Sequence, residues 1–339
     1  MLKTIFVVDD NDSNLSLAKE SLMDYYRILT LPSAAKMFSL LQNITPDLIL
    51  LDIEMPEMDG FEALHLLKTN KAHAHIPVIF LTGRTETSIE VRGFQLGVVD
   101  FVTKPFSAPV LLNRIKTHLD IDEIIRERTT QLQNLQNSMV FVLSDMIESR
   151  DYDTGGHVER TTKYIDILTH ALIEHGVYID ELKGLDVDLL TLSARLHDVG
   201  KIAIPDNILN KPGKLTYDEF EIMKTHAAEG ERIIDRIVSR TEDIEFLHNA
   251  KLIAGYHHER WDGGGYPYGL KEAQIPLQGR IMAFVDVYDA LVSERPYKKA
   301  FPKEEAVNII MDGAGKQFDP YIADVFFDVR DQFHAVKLD

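Results

Sequence analysis

Seven side chains in the second half of the chain could together hold metal ions. Two pairs of adjacent residues, His197-Asp198 and His257-His258, supply four of them. The chain contains no cysteine, so thiolate ligands are excluded. Imidazole and carboxylate ligands without thiolates favour a metal site for hydrolysis over a structural zinc site. The seven candidates are His157, His197, Asp198, His226, His257, His258 and Asp286.

The two adjacent pairs constrain how metal ions could be held. Neighbouring residues on an α-helix point about 100° apart, so His197 and Asp198 would diverge on an ideal helix. Both can reach metal only if ions lie between helices or if one ligand bridges two ions, and His257-His258 requires the same. Asp286 lies in an apolar stretch, where a charged side chain needs a partner. The simplest interpretation is two metal ions that share Asp198.

Helical periodicity dominates the part of the chain that carries these residues. Apolar side chains recur at three- and four-residue steps in residues 161–172, 188–196, 217–238 and 278–292. No run of residues there is convincing as a β-strand. The pattern predicts an all-α helical bundle, and ligands in such bundles usually project into the centre.

The first 120 residues have a different pattern, in which short apolar runs alternate with helical ones. The alternation predicts an α/β doubly wound fold around a parallel sheet. The five candidate strands are residues 5–8, 27–31, 48–51, 78–81 and 98–102.

Polar side chains follow several of these strands. Asp9 and Asp10 come directly after the first strand, and Asp52 comes directly after the third. In open α/β sheets ligands bind beyond the carboxyl ends of the strands, and oxygen ligands suit Mg²⁺. Thr82 and Lys104 follow the fourth and fifth strands, where a hydroxyl and an ammonium suit a phosphoryl group arriving on one carboxylate.

Residues 1–120 resemble a response-regulator receiver domain, whose sheet is flavodoxin-like and five-stranded. The resemblance implies that Asp52 is the phosphoacceptor and that Asp9, Asp10 and Asp52 hold Mg²⁺. It implies that Thr82 and Lys104 contact the phosphoryl oxygens, that Phe101 is the switching aromatic residue, and that a sensor histidine kinase is a partner. The residues that carry the resemblance are Asp9-Asp10, Asp52, Met55-Pro56, Asp59-Gly60, Thr82 and Lys104-Pro105.

Residues 121–143 form a predicted helical connector. Six apolar residues fall on alternating steps of four and three, and Arg128 is the one interruption. Two apolar positions per heptad are typical of a coiled coil. One interpretation is a parallel homodimer through this connector; the other is a helix packed against its own domain. The six residues are Ile121, Ile125, Leu132, Leu135, Met139 and Val142.

Residues 144–339 resemble the HD-GYP phosphodiesterases, which hydrolyse the bacterial second messenger cyclic di-GMP. The first motif is His197-Asp198-Val199-Gly200-Lys201, and the second begins at His257-His258 and ends with Gly265-Tyr266-Pro267. Further matches are Glu148 to Asp151, Thr154-Gly155, Ile204-Pro205, Arg280-Ile281, Asp289 to Leu291, Arg295 to Lys298 and Phe318 to Pro320.

The HD-GYP resemblance implies roles for individual residues. It makes the seven candidates above metal ligands, with iron or manganese as the metal, and Lys201 and Asp198 catalytic residues. It places Lys201 beside the reacting phosphorus and assigns substrate binding to Arg295, Lys298 and Tyr266. Some members bind three metals and have a glutamate four residues before the first histidine ligand. Here that position is Asp153, a shorter carboxylate, so we expect two metals.

The expected reaction is hydrolysis of a phosphodiester without a nucleophilic side chain. A metal pair can lower the pKa of water and shield charge on phosphorus, and Lys201 and Arg295 would offset charge on the other phosphoryl oxygens. The products would be pGpG and, by further cleavage, GMP. Two alternatives remain at this point: a non-catalytic module that binds nucleotide or protein, and a His-Asp phosphohydrolase of another nucleotide. The Gly263 to Pro267 segment would form a loop that shapes access or contacts a protein partner.

Composition narrows the choice of partners and location. The chain has 36 Lys and Arg against 54 Asp and Glu, a formal net charge of -18. Such an acidic chain is a poor ligand for nucleic acid polymers. The N-terminal apolar run is too short for a signal peptide, and no apolar stretch has the length of a membrane span. We therefore expect a cytoplasmic protein that binds neither membrane nor nucleic acid polymer.

Overall fold

The structure, a computed structural model, describes residues 2–83, 87–150, 156–241, 244–294 and 299–336. Its contacts divide the chain into two units, Met1–Gln133 and Asn134–Asp339. The first unit contains strands and helices in alternation, and the described part of the second unit is built from helices.

The first unit has a five-stranded parallel sheet. The strands are β1 (Thr4–Val8), β2 (Arg27–Leu31), β3 (Leu48–Asp52), β4 (Val78–Thr82) and β5 (Asp100–Thr103). Their order in the sheet is β2-β1-β3-β4-β5, and every adjacent pair is parallel. The predicted five-stranded α/β fold is therefore confirmed, although the fifth strand begins two residues later than residue 98.

Helices cover both faces of this sheet. They are α1 (Asp12–Leu22), α2 (Ala34–Leu41), α3 (Gly60–Thr69), α4 (Thr87–Gln95) and the start of α5 (Ala108–Glu148). Alternate strand residues enter two separate cores: Phe6 and Val8 belong to one, and Ile5 and Val7 to the other. Burial on both faces explains why the strands read as continuous apolar runs instead of an apolar-polar alternation.

Helix α5 is 41 residues long and continues from the first unit into the second. Its first turns pack Leu111, Ile115 and Leu119 into one core of the first unit. Near its end, Val140 is buried in a core of the second unit. Among the residues that the structure describes, no helix is both long and apolar enough to cross a membrane.

The second unit contains nine α-helices among its described residues after α5. They are α6 (His157–Glu174), α7 (Ile179–Leu182), α8 (Val187–Ala194), α9 (Asp206–Leu209), α10 (Tyr217–Val238), α11 (Glu245–Tyr256), α12 (Leu277–Val292), α13 (Lys303–Asp312) and α14 (Pro320–Ala335). Short 3-10 helices lie at Val199–Ala203 and Glu272–Gln274. The predicted all-α output domain is confirmed, with α10 at the predicted bounds.

Three apolar cores hold these helices together, and the smallest of them packs Ile208 and Leu209 of α9 with Ile204. The other two lie closest to the candidate ligands in the chain. The larger one joins α6, α8, α12, α13 and α14, and Tyr288 and Phe326 are fully buried in it. The smaller one contains Ile234 of α10 together with Ala250 and Ala254 of α11. The candidate metal ligands are carried by helices and helix ends that these two cores fix in place.

Candidate functional site

Three candidate ligands form a first cluster in the second unit. His157 is the first residue of α6, and His197 and Asp198 lie between α8 and the 3-10 helix Val199–Ala203. The Nε2 atoms of His157 and His197 are 3.3 Å apart, and His197 Nε2 is 3.1 Å from Asp198 Oδ2. One ligand atom from each of the three lies within 4.8 Å of the others, so a single ion could bind all three.

A second cluster consists of His226, His257 and His258. His226 lies on α10, His257 caps the C-terminal end of α11, and His258 follows it. The Nε2 atoms of His226 and His257 are 3.4 Å apart. Ligand atoms of these three residues also lie within 4.8 Å of one another, which is again compatible with one ion.

The carboxylate of Asp198 faces both clusters. Its Oδ2 is 3.1 Å from His197 Nε2, and its Oδ1 is 3.5 Å from His226 Nε2 and 3.8 Å from His257 Nε2. The two oxygens of Asp198 therefore point to different clusters. A carboxylate in this position could bind two ions at once. Asp286 of α12 lies near the first cluster, with its Oδ1 3.5 Å from His157 Nε2.

The backbone prepares the imidazoles for metal binding. The Nδ1 atoms of His197, His226 and His257 lie 2.9 Å from Ala194 O, 2.7 Å from Met223 O and 3.0 Å from Ala254 O respectively. A carbonyl oxygen can only accept, so each Nδ1 donates its proton and each Nε2 keeps a lone pair. Metal-ligating histidines commonly have such a fixed tautomer.

The lowered pKa values of the histidines in the second cluster also favour the binding of a metal ion. Burial lowers the pKa of His257 to about 3, with help from the neighbouring His197 and His226. Burial likewise lowers the pKa of His226 and, with His257 beside it, holds the pKa of His258 well below its ordinary value. Metal ligation requires neutral imidazole, so these side chains are available as ligands at neutral pH.

The pKa of Asp198 is lower than that of an ordinary aspartate, although the side chain is mostly buried. Burial would raise this pKa, but Lys201 and His197 outweigh burial and hold it well below its ordinary value. Lys201 Nζ is 2.8 Å from Asp198 Oδ2. Asp198 is therefore ionised, and the ammonium of Lys201 lies at the edge of the first cluster.

A close backbone contact sets the position of Asp198 and Lys201. Gly200 lies against α10, where a Cβ atom would be only 1.8 Å from the carbonyl oxygen of His226. Any larger residue would push the 3-10 helix away from α10. The glycine in this motif therefore brings Asp198 close to His226, which joins the two clusters.

Sequence reasoning missed the group that holds the ring of His157. His157 Nδ1 is 2.8 Å from Asp289 Oδ2, and Arg160 donates to both oxygens of the same carboxylate at 2.6 and 3.0 Å. Burial would raise the pKa of Asp289, but its hydrogen bonds with His157 and Arg160 lower it. Asp289 is three residues after Asp286, and residues three apart share a helix face, so this spacing was the available signal.

The Gly-Tyr-Pro segment is a loop at the second cluster. The carboxylate of Glu259, which is buried, accepts backbone N–H groups of Tyr268, Gly269 and Leu270. The ring of Tyr266 lies beside that of His258, with centroids 4.7 Å apart. These two rings line a cavity of about 330 Å³ together with Lys224.

Three sequence-predicted residues lie outside the described part of the chain. They are Arg295 and Lys298, assigned to substrate phosphate, and Asp153, the candidate for a third metal position.

The acidic site of the first unit assembles at the carboxyl ends of β1 and β3. Val8 pairs with Leu51, so Asp9 and Asp52 emerge side by side, and ligand atoms of Asp9, Asp10 and Asp52 lie within 4.8 Å of one another. Lys104 Nζ is 2.7 Å from Asp9 Oδ2 and from Asp52 Oδ1. Burial raises the pKa of Asp52, and Lys104 opposes that rise.

Two of the three predicted switch residues, Thr82 and Phe101, are buried, and the third is Lys104. Thr82 ends β4 next to Asp52, because Asp52 pairs with Leu81 in the sheet. The ring of Phe101 packs against Phe80 and Phe94, with centroid distances of 5.6 and 5.1 Å. The structure thus brings Thr82 to the acidic site and holds Phe101 in the core beside it.

Comparison with known protein families gives the same division of the chain. The response regulator receiver domain matches residues 5–116, and the HD domain matches residues 141–322. The chain belongs to the response regulators that carry an HD domain. The prediction of a receiver domain followed by an HD-type output domain is confirmed.

Relatives of this family cover most of the chain. A probable cyclic di-GMP phosphodiesterase of Vibrio cholerae is 43% identical over 338 residues, which cover 95% of this chain and 77% of the relative. The cyclic di-GMP phosphodiesterase response regulator RpfG of Xanthomonas campestris is 37% identical over 302 residues, 86% of this chain and 77% of that protein. A cyclic di-GMP phosphodiesterase of Thermotoga maritima is 31% identical over 359 residues, 98% of this chain and 92% of that protein.

We expect Asp289→Asn to weaken metal binding by about 10- to 100-fold, the usual effect of losing a group that orients a ligating histidine. Asparagine lacks the charge that pairs with Arg160 and that holds the ring of His157. Titration of metal-depleted protein with Mn²⁺ in a calorimeter measures the change. Asp324→Asn, at an exposed position of α14, is the matched control. Wild-type affinity in Asp289→Asn would contradict the assigned role.

Proposed function

We propose that this response regulator hydrolyses cyclic di-GMP to pGpG, and onward to GMP, at a two-metal site that phosphorylation of Asp52 controls. The observation that carries the proposal is the carboxylate of Asp198, whose two oxygens point to two histidine clusters. The relatives suggest the substrate. Two cyclic di-GMP phosphodiesterases and one probable cyclic di-GMP phosphodiesterase match most of this chain.

The residues present fit two divalent transition metals. His157, His197, Asp198 and Asp286 would hold one ion, and His226, His257 and His258 would hold the other together with Asp198. Nitrogen and oxygen donors without thiolate suit iron or manganese. When bound, such a pair supplies a nucleophile from water at neutral pH and shields negative charge on phosphorus.

The side chains around the clusters would bind and orient the phosphodiester. The ammonium of Lys201 lies at the edge of the first cluster, where it can offset charge on a non-bridging phosphoryl oxygen. Burial raises the pKa of Tyr266, so its phenol stays protonated and can donate a hydrogen bond. We assign Arg295 and Lys298 to the substrate phosphates on the strength of their motif alone.

The receiver unit has the groups that phosphoryl transfer to a carboxylate needs. Asp9, Asp10 and Asp52 supply oxygen ligands for Mg²⁺. Lys104 already contacts Asp52 and can follow the phosphoryl group once it is attached there. A sensor histidine kinase is the expected phosphodonor.

Substitution of a metal ligand and substitution of Lys201 should have different effects on metal content and on turnover. We expect wild-type protein, purified without oxygen and loaded with Fe²⁺ or Mn²⁺, to hydrolyse cyclic di-GMP. His197→Ala should lose both metal and activity. Lys201→Ala should keep its metal and lose about 10²- to 10³-fold in kcat, the usual cost of removing one group that stabilises transition-state charge. Chromatography of the nucleotides and elemental analysis of the protein measure both quantities.

Two results would count against this function. Wild-type turnover by His197→Ala would show that the chemistry lies elsewhere, and a faster reaction with another nucleotide would overturn the substrate. The assay therefore includes other cyclic dinucleotides and ppGpp, and Lys214→Ala, at an exposed lysine of the same unit, serves as the control for Lys201.

Asp52 should be the residue through which phosphorylation acts. We expect acetyl phosphate with Mg²⁺ to change the hydrolysis rate of the wild type and to leave that of Asp52→Asn unchanged. Asp24→Asn, at an exposed acid of the same unit, should respond as the wild type does. Rate measurements with and without the phosphodonor test this, and an equal response in Asp52→Asn would exclude it as the phosphoacceptor.

We also propose that a second copy of the chain pairs along α5. The six seam residues predicted from the heptad pattern are 47% to 66% exposed, although each is a large apolar side chain. The opposite side of the helix near its end is buried, at Val140 and Ser144. An apolar stripe with a 3.5-residue repeat matches an identical stripe on a parallel helix.

Charge placed on this seam should separate the two copies. We expect wild-type protein to be a dimer and the double variant Leu132→Lys with Leu135→Lys to be a monomer, because two ammonium groups would enter the paired apolar stripe. Gln133→Lys with Asn137→Lys adds the same charge off the seam and should remain a dimer. Light scattering measures the mass; a monomeric wild type, with and without a phosphoryl mimic, would refute the pairing.

A further inference from the structure

The helix that carries His157 begins without a cap of its own. His157 is the first residue of α6, and the N-cap residue Gly156 has φ 93° and no side chain that could bind the free N–H groups. Uncapped N–H groups at a helix start need acceptors from elsewhere. The position of the His157 imidazole therefore depends on what binds the start of α6 from outside that helix.

Glu148 supplies the missing acceptor. It is the last residue of α5, and its Oε1 accepts the backbone N–H of His157 at 3.1 Å. A carboxylate is the preferred partner at a helix N-terminus, because its charge complements the helix dipole as well as the hydrogen bond. The end of one helix thus fixes the start of the next, at the residue that bears the first candidate ligand.

Other residues at the end of α5 contact the same cluster. Ser144, Ile147 and Glu148 line a cavity of about 20 Å³ with His157 and His197. The ring of Phe141 lies 3.6 Å from the guanidinium carbon of Arg195, two residues before His197. The end of α5 therefore lies against both chain segments that form the first cluster.

Arg150, just beyond α5, holds the segment that follows Lys201. Its guanidinium donates to the carbonyl of Ile202 at 3.1 Å and to the carboxylate of Asp206 at 2.6 Å. The second cluster is supported differently, because His226 and His257 bond to carbonyls of their own helices, α10 and α11. The two clusters thus rest on different elements.

We propose that Glu148 is a positioning residue for the metal at His157, and that it acts on the first metal position without affecting the second. The inference rests on the proposed function only in taking His157 to be a metal ligand. Loss of the carboxylate would free the first turn of α6 and displace the imidazole, whereas the ligands on α10 and α11 would keep their places.

The test compares Glu148→Ala, Glu148→Gln and Asp145→Ala in the full-length chain, with Mn²⁺ alone as the probe. Glutamine keeps an oxygen that can accept the His157 N–H, and alanine does not. Asp145 is an exposed acid on the same helix, three residues earlier. Calorimetric titration of metal-depleted protein gives the affinity of each site, and electron paramagnetic resonance of bound Mn²⁺ reports whether the ions are adjacent.

We expect Glu148→Ala to weaken one of two Mn²⁺ sites by at least about tenfold and to leave the affinity of the other unchanged. At low Mn²⁺ concentration, this variant should also lose the electron paramagnetic resonance signal of two adjacent ions. Glu148→Gln should stay within about threefold of the wild type at both sites, and Asp145→Ala should match the wild type. Glu148→Met, which fills a similar volume without an acceptor, replaces the alanine variant if circular dichroism shows that the latter is unfolded.

Several outcomes would overturn the inference. They are wild-type affinity at both sites in Glu148→Ala, equal weakening of both sites, or a Glu148→Gln variant as weak as Glu148→Ala. The hydrolysis assay keeps the two proposals apart. Selective loss of one Mn²⁺ site in a protein that cleaves no cyclic dinucleotide supports the role of Glu148 and refutes the proposed function. Conversely, if Glu148→Ala cleaves cyclic di-GMP normally and keeps both Mn²⁺ sites, the proposed function stands and the role of Glu148 is refuted.

Discussion

Buried ligand atoms that face one another in the second unit are the constraint on which the candidate site depends. At the first cluster, His157 Nε2 lies 3.3 Å from His197 Nε2. Burial would lower the pKa of His157, but its hydrogen bond with Asp289 and the charges of Asp286 and Asp198 raise it to about 8. At the second cluster, the Nδ1 atoms of His226 and His257 donate to backbone carbonyls, so their Nε2 lone pairs face each other across 3.4 Å. Two lone pairs this close repel unless a cation lies beside them, and burial denies them water. The fold thus creates two positions that favour positive charge, and the Asp198 carboxylate lies between them.

Helix ends, more than helix faces, bring these ligands together. His157 starts α6, His257 ends α11, and His197-Asp198 lie where α8 has ended and a 3-10 helix begins. A change of backbone conformation lets adjacent residues face one centre, which an unbroken helix would prevent. The large apolar core of α6, α8, α12, α13 and α14 then holds these ends at fixed positions. The candidate metal site is therefore only as rigid as the capping and packing of the helices around it.

Helix α5 joins the two halves of the proposed function within one element. It begins in a core of the receiver unit, exposes an apolar seam along its middle, and ends with Glu148 bonded to His157. The proposed pairing of two copies would use this seam, and the last residue of the same helix bonds to the first cluster. One helix thus carries both the proposed dimer seam and a residue that bonds to the candidate metal site.

The sequence by itself determined which side chains are available and how each local element forms. The strand runs before Asp9 and Asp52 and the helical periodicity depend on residues close in the chain, so their patterns were readable and the elements matched. The pairing of two copies along the heptad seam stays a prediction. The adjacent pairs of candidate ligands already suggested that Asp198 is shared, and the structure places its two oxygens toward the two clusters. Only the tertiary structure decided that Asp289 orients His157 and that Glu148 caps α6. Asp289 is 132 residues from His157, and no period or propensity encodes a contact that depends on how separate helices pack.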